Sequence, residues 1–256
     1  MEVIRISLKN AFVYRSSVLF SIIGSVFNIF ISIALWKYVY SYDLDKMNYM
    51  IIYVISSNLI SMFYNKGMIG EIGGKVSDGS FALELIRPTN FVVLGYLRMV
   101  GNIIATVLMR GVSVLFIFSP LIIRRRDIIH FNMIGLFFLA VLLGHLLFTI
   151  LFALLGFMAF VCIEIWPFSR LLDDTIRFLS GSFIPLALFP DWLKDISAIL
   201  PFRFLYSLPI EILIGELPVS EIINNFGILG IWLAVLFGLF LLLFKRAVNS
   251  FVVQGG

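Results

Sequence analysis

The sequence predicts an all-α integral membrane protein, and three observations carry that reading. The 256 residues are 61% hydrophobic and only 13% charged, about half the share of roughly 25% charged residues in a soluble domain. Six long apolar stretches recur along the chain, each close to or above the roughly 20 residues that cross a bilayer core. No interval between them is long enough to hold a soluble domain, so residues 1–256 read as a single transmembrane domain.

The elements follow in order. Residues 3–15 place Ile4, Leu8, Ala11 and Phe12 on one helical side and Arg5 and Lys9 elsewhere, the pattern of a helix lying in the interface (residues 1–16). The apolar stretches are Ser17–Tyr40, Asn48–Tyr64, Met99–Ile123, Met133–Ile165, Leu171–Leu188 and Phe226–Phe244. The second is short and is expected to continue through "NKGMIG"; the fourth exceeds one perpendicular crossing and must tilt or project. The first is too long for a cleaved leader and has no A-x-A-like site after it, so it reads as a retained anchor.

Six spans put both termini on one side. With that side cytoplasmic, eleven Lys and Arg lie inside and seven outside, leaving Arg110 within the third span. The bias follows the positive-inside rule. It is weakened by "IIRRRDIIHFN", which sets Arg124, Arg125 and Arg126 outside, to meet lipid headgroups or an external partner. The net charge of +4 is scattered between apolar runs, which suits membrane orientation and not nucleic-acid binding.

Two irregular regions interrupt the spans. Residues 65–90 carry five glycines, then "SFALELIR", a short amphipathic helix ended by Pro88. By itself this region reads equally as a plain connector. Residues 179–218 hold five prolines, and Pro185 and Pro190 are expected to end the fifth span early. Asp191 is expected to cap a short helix with Trp192, Ile196 and Ile199 on its apolar side. A second short segment starts at Pro201 and ends near Gly215. Neither is long enough to cross, so they dip in and return or lie flat, packed on protein or lining a cavity.

Catalytic signatures are sparse. There is no H-E-x-x-H zinc motif and no Walker A loop, and the single Cys162 leaves no internal disulfide or cysteine metal site. Asp173 and Asp174 are adjacent and diverge around a helix, where Arg170 and Arg177 suit ion pairing. Two polar residues stand at depth. Arg110 needs a partner, a cavity or a carbonyl, unless the third helix starts later and the side chain snorkels to an interface. His145 reads as a hydrogen-bonded packing residue or as part of a pathway.

Taken in order, "GKVSDGSFALELIRPTN" and "SGSFIPLALFPDWLKDISAILPFRFLYSLPIEILIGE" resemble two segments of ABC-2-type transporter permeases. The first matches their Gly-x-hydrophobic…Leu-hydrophobic-Arg-Pro loop. The second matches a proline-rich segment with a Pro-x-Trp, a Pro-Phe pair at Pro201–Phe202 and a glycine at Gly215. Trp232 and the terminal "VVQGG" fit the same pattern, so the resemblance covers essentially the whole chain; the arginine triplet departs from it.

The resemblance implies a non-catalytic subunit of an ATP-driven exporter in the cell membrane, with both termini cytoplasmic. A separate ABC ATPase, in two copies, would bind ATP and Mg; a second permease, identical or homologous, would complete the membrane part. Residues 65–90 would couple to the ATPase, with Phe81 and Leu85 as apolar anchors and Glu84 and Arg87 fixing orientation. Residues 179–218 would form a re-entrant helical hairpin, with Pro185, Pro190, Trp192, Pro201 and Phe202 closing the external end of the path. No substrate signature carries over. The alternative class is a membrane enzyme acting on lipid-linked substrates, with Asp173, Asp174 and His145 as its chemical groups. A third is a channel or scaffold that needs no nucleotide.

Overall fold

A computed structural model describes Ile6 and residues 15–86, 90–162 and 164–254. The expected interfacial helix (all but Ile6, Arg15 and Ser16) and Arg87 lie outside them. Every regular element among the described residues is helical. The helices are α1 (Arg15–Val39), α2 (Leu44–Ser61), α3 (residues 67–77), α4 (Phe81–Ile86), α5 (Phe91–Ile123), α6 (Phe131–Phe160), α7 (Trp166–Leu179), α8 (Asp191–Ile199), α9 (Ser207–Ile214) and α10 (Val219–Gln254).

Four of these are long and apolar enough to cross a membrane: α1, α5, α6 and α10. Each of the four exposes large apolar side chains, as Phe20, Phe27, Phe116, Phe138 and Phe237 show, which is the arrangement a hydrocarbon solvent favours. The second and fifth expected spans differ. Helix α2 has 18 residues, about 27 Å at 1.5 Å per residue. It carries Asp45 and Lys46 in its first turn and Ser56, Ser57 and Asn58 along its length. Asp43 caps it by accepting from the Lys46 N–H at 3.0 Å. It does not continue through the next residues. It stops at Ser61, and the chain restarts at Gly67, whose N–H donates to the Asn65 side chain at 2.8 Å.

Helix α7 has only 14 residues and bears Arg170, Asp173, Asp174 and Arg177. The continuous fifth stretch expected over Leu171–Leu188 is therefore broken. The prolines are not what ends it. The helix stops at Leu179, and Gly181 then adopts φ +84°, a left-handed conformation that glycine reaches without penalty. Pro185 and Pro190 come later, preceding a 3-10 turn at Leu186–Leu188 and helix α8. Asp191 is the first residue of α8 and does not cap it; it lies 3.6 Å from Lys194 instead.

Helix α9 resumes where α7 stops. The Ser207 N–H donates to the Ser180 carbonyl at 3.0 Å, joining the two short helices across the excursion of residues 181–206. Leu208, Ile210 and Ile212 on α9 are fully buried against α6 and α2. Gly215 closes α9 at φ +75°, with the Glu216 N–H bonded to the Glu211 carbonyl at 2.9 Å. Helix α6 is the hub of the fold, touching α3, α9 and α10.

Candidate functional site

The side chains of α1 divide into two faces. Ser21, Gly24, Ser25, Asn28 and Ser32 recur at helical spacing and line one wall of a polar cavity of about 470 Å³. Helix α2 supplies Ser57, Asn58, Ser61 and, just beyond its end, Tyr64. Arg110, Arg177 and Ser182 complete the polar lining.

The turn of α5 at Val107–Gly111, which places Arg110 on this wall, is a π-helix, widened by one residue relative to the turns on either side. Because α5 begins at Phe91, capped by Asn90, and not at Met99 or later, Arg110 lies about 28 Å from one end of the helix and about 20 Å from the other. Arg110 makes no ion pair among the described residues, and its buried Nε has no hydrogen-bond partner. The Asn58 Oδ1 is likewise without one. The guanidinium therefore lines the cavity with no charged neighbour among the described residues to balance it.

Next to the cavity lies a charge knot. Asp173, nearly buried, receives Lys66 at 2.7 Å and Arg177 at 3.2 Å. Arg170 pairs with Asp174 at 3.2 Å, so both i,i+4 pairs expected from the sequence are present. The Lys66 contact spans 107 residues of sequence and had no local signal. The backbone freed at the break after α7 is satisfied by α2 hydroxyls. Tyr53 donates to the Gly181 carbonyl at 2.7 Å and Ser57 to the Ser182 carbonyl at 2.9 Å. Tyr64 donates to the Leu205 carbonyl in the same way.

His145 is 5% exposed and packed, its Nδ1 2.9 Å from the Phe63 carbonyl and its Nε2 3.3 Å from the Tyr96 hydroxyl. It makes no ion pair with Asp173 or Asp174, which pair with Lys66, Arg177 and Arg170 instead. No three His, Cys, Asp or Glu among the described residues are grouped to hold a metal.

The second region is the glycine-rich segment. Phe81 is 0% exposed and meets Phe91 and Phe160 edge-on at 5.4 Å each. In this chain its ring packs α4 against α5 and the end of α6. Leu85 packs on the same cluster, and α4 presents Leu83 outward, at 63% exposure. Glu84 lies 3.0 Å from Lys75, and Glu71 lies 3.3 Å from Arg98, fastening α3 to α4 and α5. In the turn before α4, the Ser80 hydroxyl and N–H hold the Asp78 carboxyl below its usual range.

In the excursion, Trp192 is 65% exposed, Phe202 is half-buried and Pro201 is buried. Beside it Glu211 accepts from Ser207 and from Arg203 at 3.4 Å, and Tyr49 donates to Glu216 at 3.4 Å. Of the arginine triplet, Arg125 turns inward, bonding Asn48 at 2.8 Å and the Leu121 carbonyl at 3.1 Å.

Sequence reasoning missed the serine and asparagine face of α1. The signal was present, since Ser21, Ser25, Asn28 and Ser32 recur at intervals of four, three and four within an apolar helix.

A comparison with protein families matches residues 19–255 to the family described as ABC-2 family transporter protein. No curated protein sequence matches the chain. With nearly its whole length aligned to that family, the chain belongs to the ABC-2 family of transporter membrane proteins.

Proposed function

We propose that the chain is the permease subunit of an ATP-driven exporter, moving its substrate by alternating access while a separate ATPase hydrolyses ATP with Mg. The observation that carries this reading is the arginine-bearing polar cavity, open on one side, between apolar helices. Such residues at membrane depth mark substrate or ion pathways. Family membership supports an ABC ATPase as partner. A second permease, a copy or a homologue, completes the membrane part, with two ATPase copies beneath.

In this reading α7 and α9 together make one broken crossing, giving six, and both termini are cytoplasmic in the cell membrane. Residues 181–206 are a re-entrant hairpin that closes the external end of the path. The segment from Gly67 to Ile86 docks on the ATPase, with Leu83 as its outward apolar contact and Phe81 as the internal brace.

Copurification tests the core of the proposal. The tagged chain should bring down an ABC ATPase, and Leu83→Asp should release it while leaving the permease in the membrane. A chain that purifies alone and transports without nucleotide would overturn the reading. In a background lacking Cys162, cysteines at Asp43 and Arg126 should react with impermeant reagents on intact cells, and cysteines at Asp78 and Ser250 should not. Cross-linking Trp192→Cys to its mate in the second permease should block transport reversibly while ATP still binds.

A further inference from the structure

The cavity has an excess of positive charge. Counting it with the adjoining knot, Lys66, Arg110 and Arg177 contribute three positive charges and Asp173 one negative, leaving +2. No Asp or Glu lines the cavity itself. Asp173 is already shared between Lys66 and Arg177, so it cannot also balance Arg110, which has no ion-pair or hydrogen-bond partner among the described residues. The rest of the wall is hydroxyl and amide, with Val54 and Phe183 its only large apolar members.

Resting on the permease reading, we propose that this cavity binds the anionic headgroup of the transported substrate, a phosphate or carboxylate, with the Arg110 guanidinium as its principal counter-charge. A guanidinium offers a planar fork of donors that matches phosphate and carboxylate oxygens. The π-helical turn at Val107–Gly111 gives the fork its place on the wall, and while the Nε is buried, the terminal nitrogens have no partner among the described residues and are the donors left for the ligand. Arg177, held by Asp173, supplies a second guanidinium on the same wall. The serines and asparagines of α1 and α2 would take the ester or hydroxyl oxygens that accompany such a group. A volume of about 470 Å³ accommodates a headgroup and not a folded macromolecule.

The anion could be carried on a lipid or be soluble, and the test separates these. Full-length permease in a neutral detergent is titrated with phosphatidylglycerol, with phosphatidylcholine and with glycerol 3-phosphate, and binding is read as a rise in thermal midpoint. Phosphatidylglycerol should stabilise the wild type more than phosphatidylcholine does. Arg110→Gln should raise its half-saturating concentration by about tenfold or more, the loss expected for a single strong polar contact. Arg110→Lys should keep part of the affinity, since the charge remains and the fork does not.

Glycerol 3-phosphate acting with the same dependence on Arg110 supports the anion site and assigns a soluble substrate. Phosphatidylglycerol acting alone supports it and assigns a lipid-borne one. Should Arg110→Gln fail to fold, Asn28→Leu, at an exposed position of α1, keeps the test alive and should also weaken binding. Equal response to phosphatidylglycerol and phosphatidylcholine, or equal binding by wild type and variants, overturns the proposal. Because the assay uses the permease alone, a missing ATPase partner would defeat the pump reading without altering this result.

Discussion

Among the described residues the chain widens into a π-helical turn twice, at Gly70–Gly74 in α3 and at Val107–Gly111 in α5, and the surroundings of the two turns are opposite. The first is pressed dry against α6. A Cβ added at Gly156 would stand 2.9 Å from the Ile72 Cβ, and one at Gly73 would stand 3.2 Å from the Gly156 carbonyl. The second opens on water-sized space and holds Arg110 at its wall. The same departure from regular α-helix therefore serves close backbone approach in one place and the placement of a charge in the other. Side chains across the interface decide which, and the backbone alone does not.

Perturbing the dry region should have the largest effect. Phe81→Ala removes a fully buried aromatic that braces three elements, and should cost about 3–5 kcal/mol. Thermal unfolding in detergent measures this. A variant as stable as wild type would mean that the α4 cluster contributes little.

Steric load sharpens the contrast. Gly156→Val should destabilise by about 1–3 kcal/mol through overpacking. Gly111→Ala in the other turn should be nearly neutral, because its nearest neighbour is the flexible Met62 sulfur at 3.4 Å. Equal losses from the two substitutions would erase the distinction between a close-packed and an open turn.

At the open turn, removing the charge should help the fold while harming function. Arg110→Leu should raise stability by about 0.5–2 kcal/mol, the range seen when a functional compromise is relieved, and abolish transport. If thermal melts show a loss instead, Arg110 is a structural residue.

The smallest effect belongs to the loop after α9. Burial, and then neighbouring Glu211, hold the Glu216 carboxyl above its usual range. The folded state thus binds this proton more tightly than the unfolded one does. Its stability contribution is fully present below the ordinary carboxylate pKa and is lost as pH rises through the raised value. With the side chain reaching solvent, the change should stay under about 1 kcal/mol. Glu216→Gln should flatten the slope of thermal midpoint against pH, and an unchanged slope would assign the dependence to another group.

Membrane class, the four strongly apolar helices and the order of the irregular segments were all determined by the sequence itself. Hydrocarbon admits few polar groups, so composition and run length report directly on lipid exposure. The i,i+4 pairs Arg170–Asp174 and Asp173–Arg177 were legible for a related reason: helical spacing makes near neighbours in sequence near neighbours in space. The end of Leu171–Leu188 was misplaced because a proline is a strong local signal, whereas Gly181 stops the helix with Tyr53 and Ser57 of another helix ready to bond the freed carbonyls. Only the tertiary structure decided that Phe81 turns inward, that Lys66 crosses the fold to Asp173, and that Arg110 faces a cavity without a counter-ion. Each of these depends on which helices pack side by side, and contacts between residues tens of positions apart leave no periodic trace in the sequence.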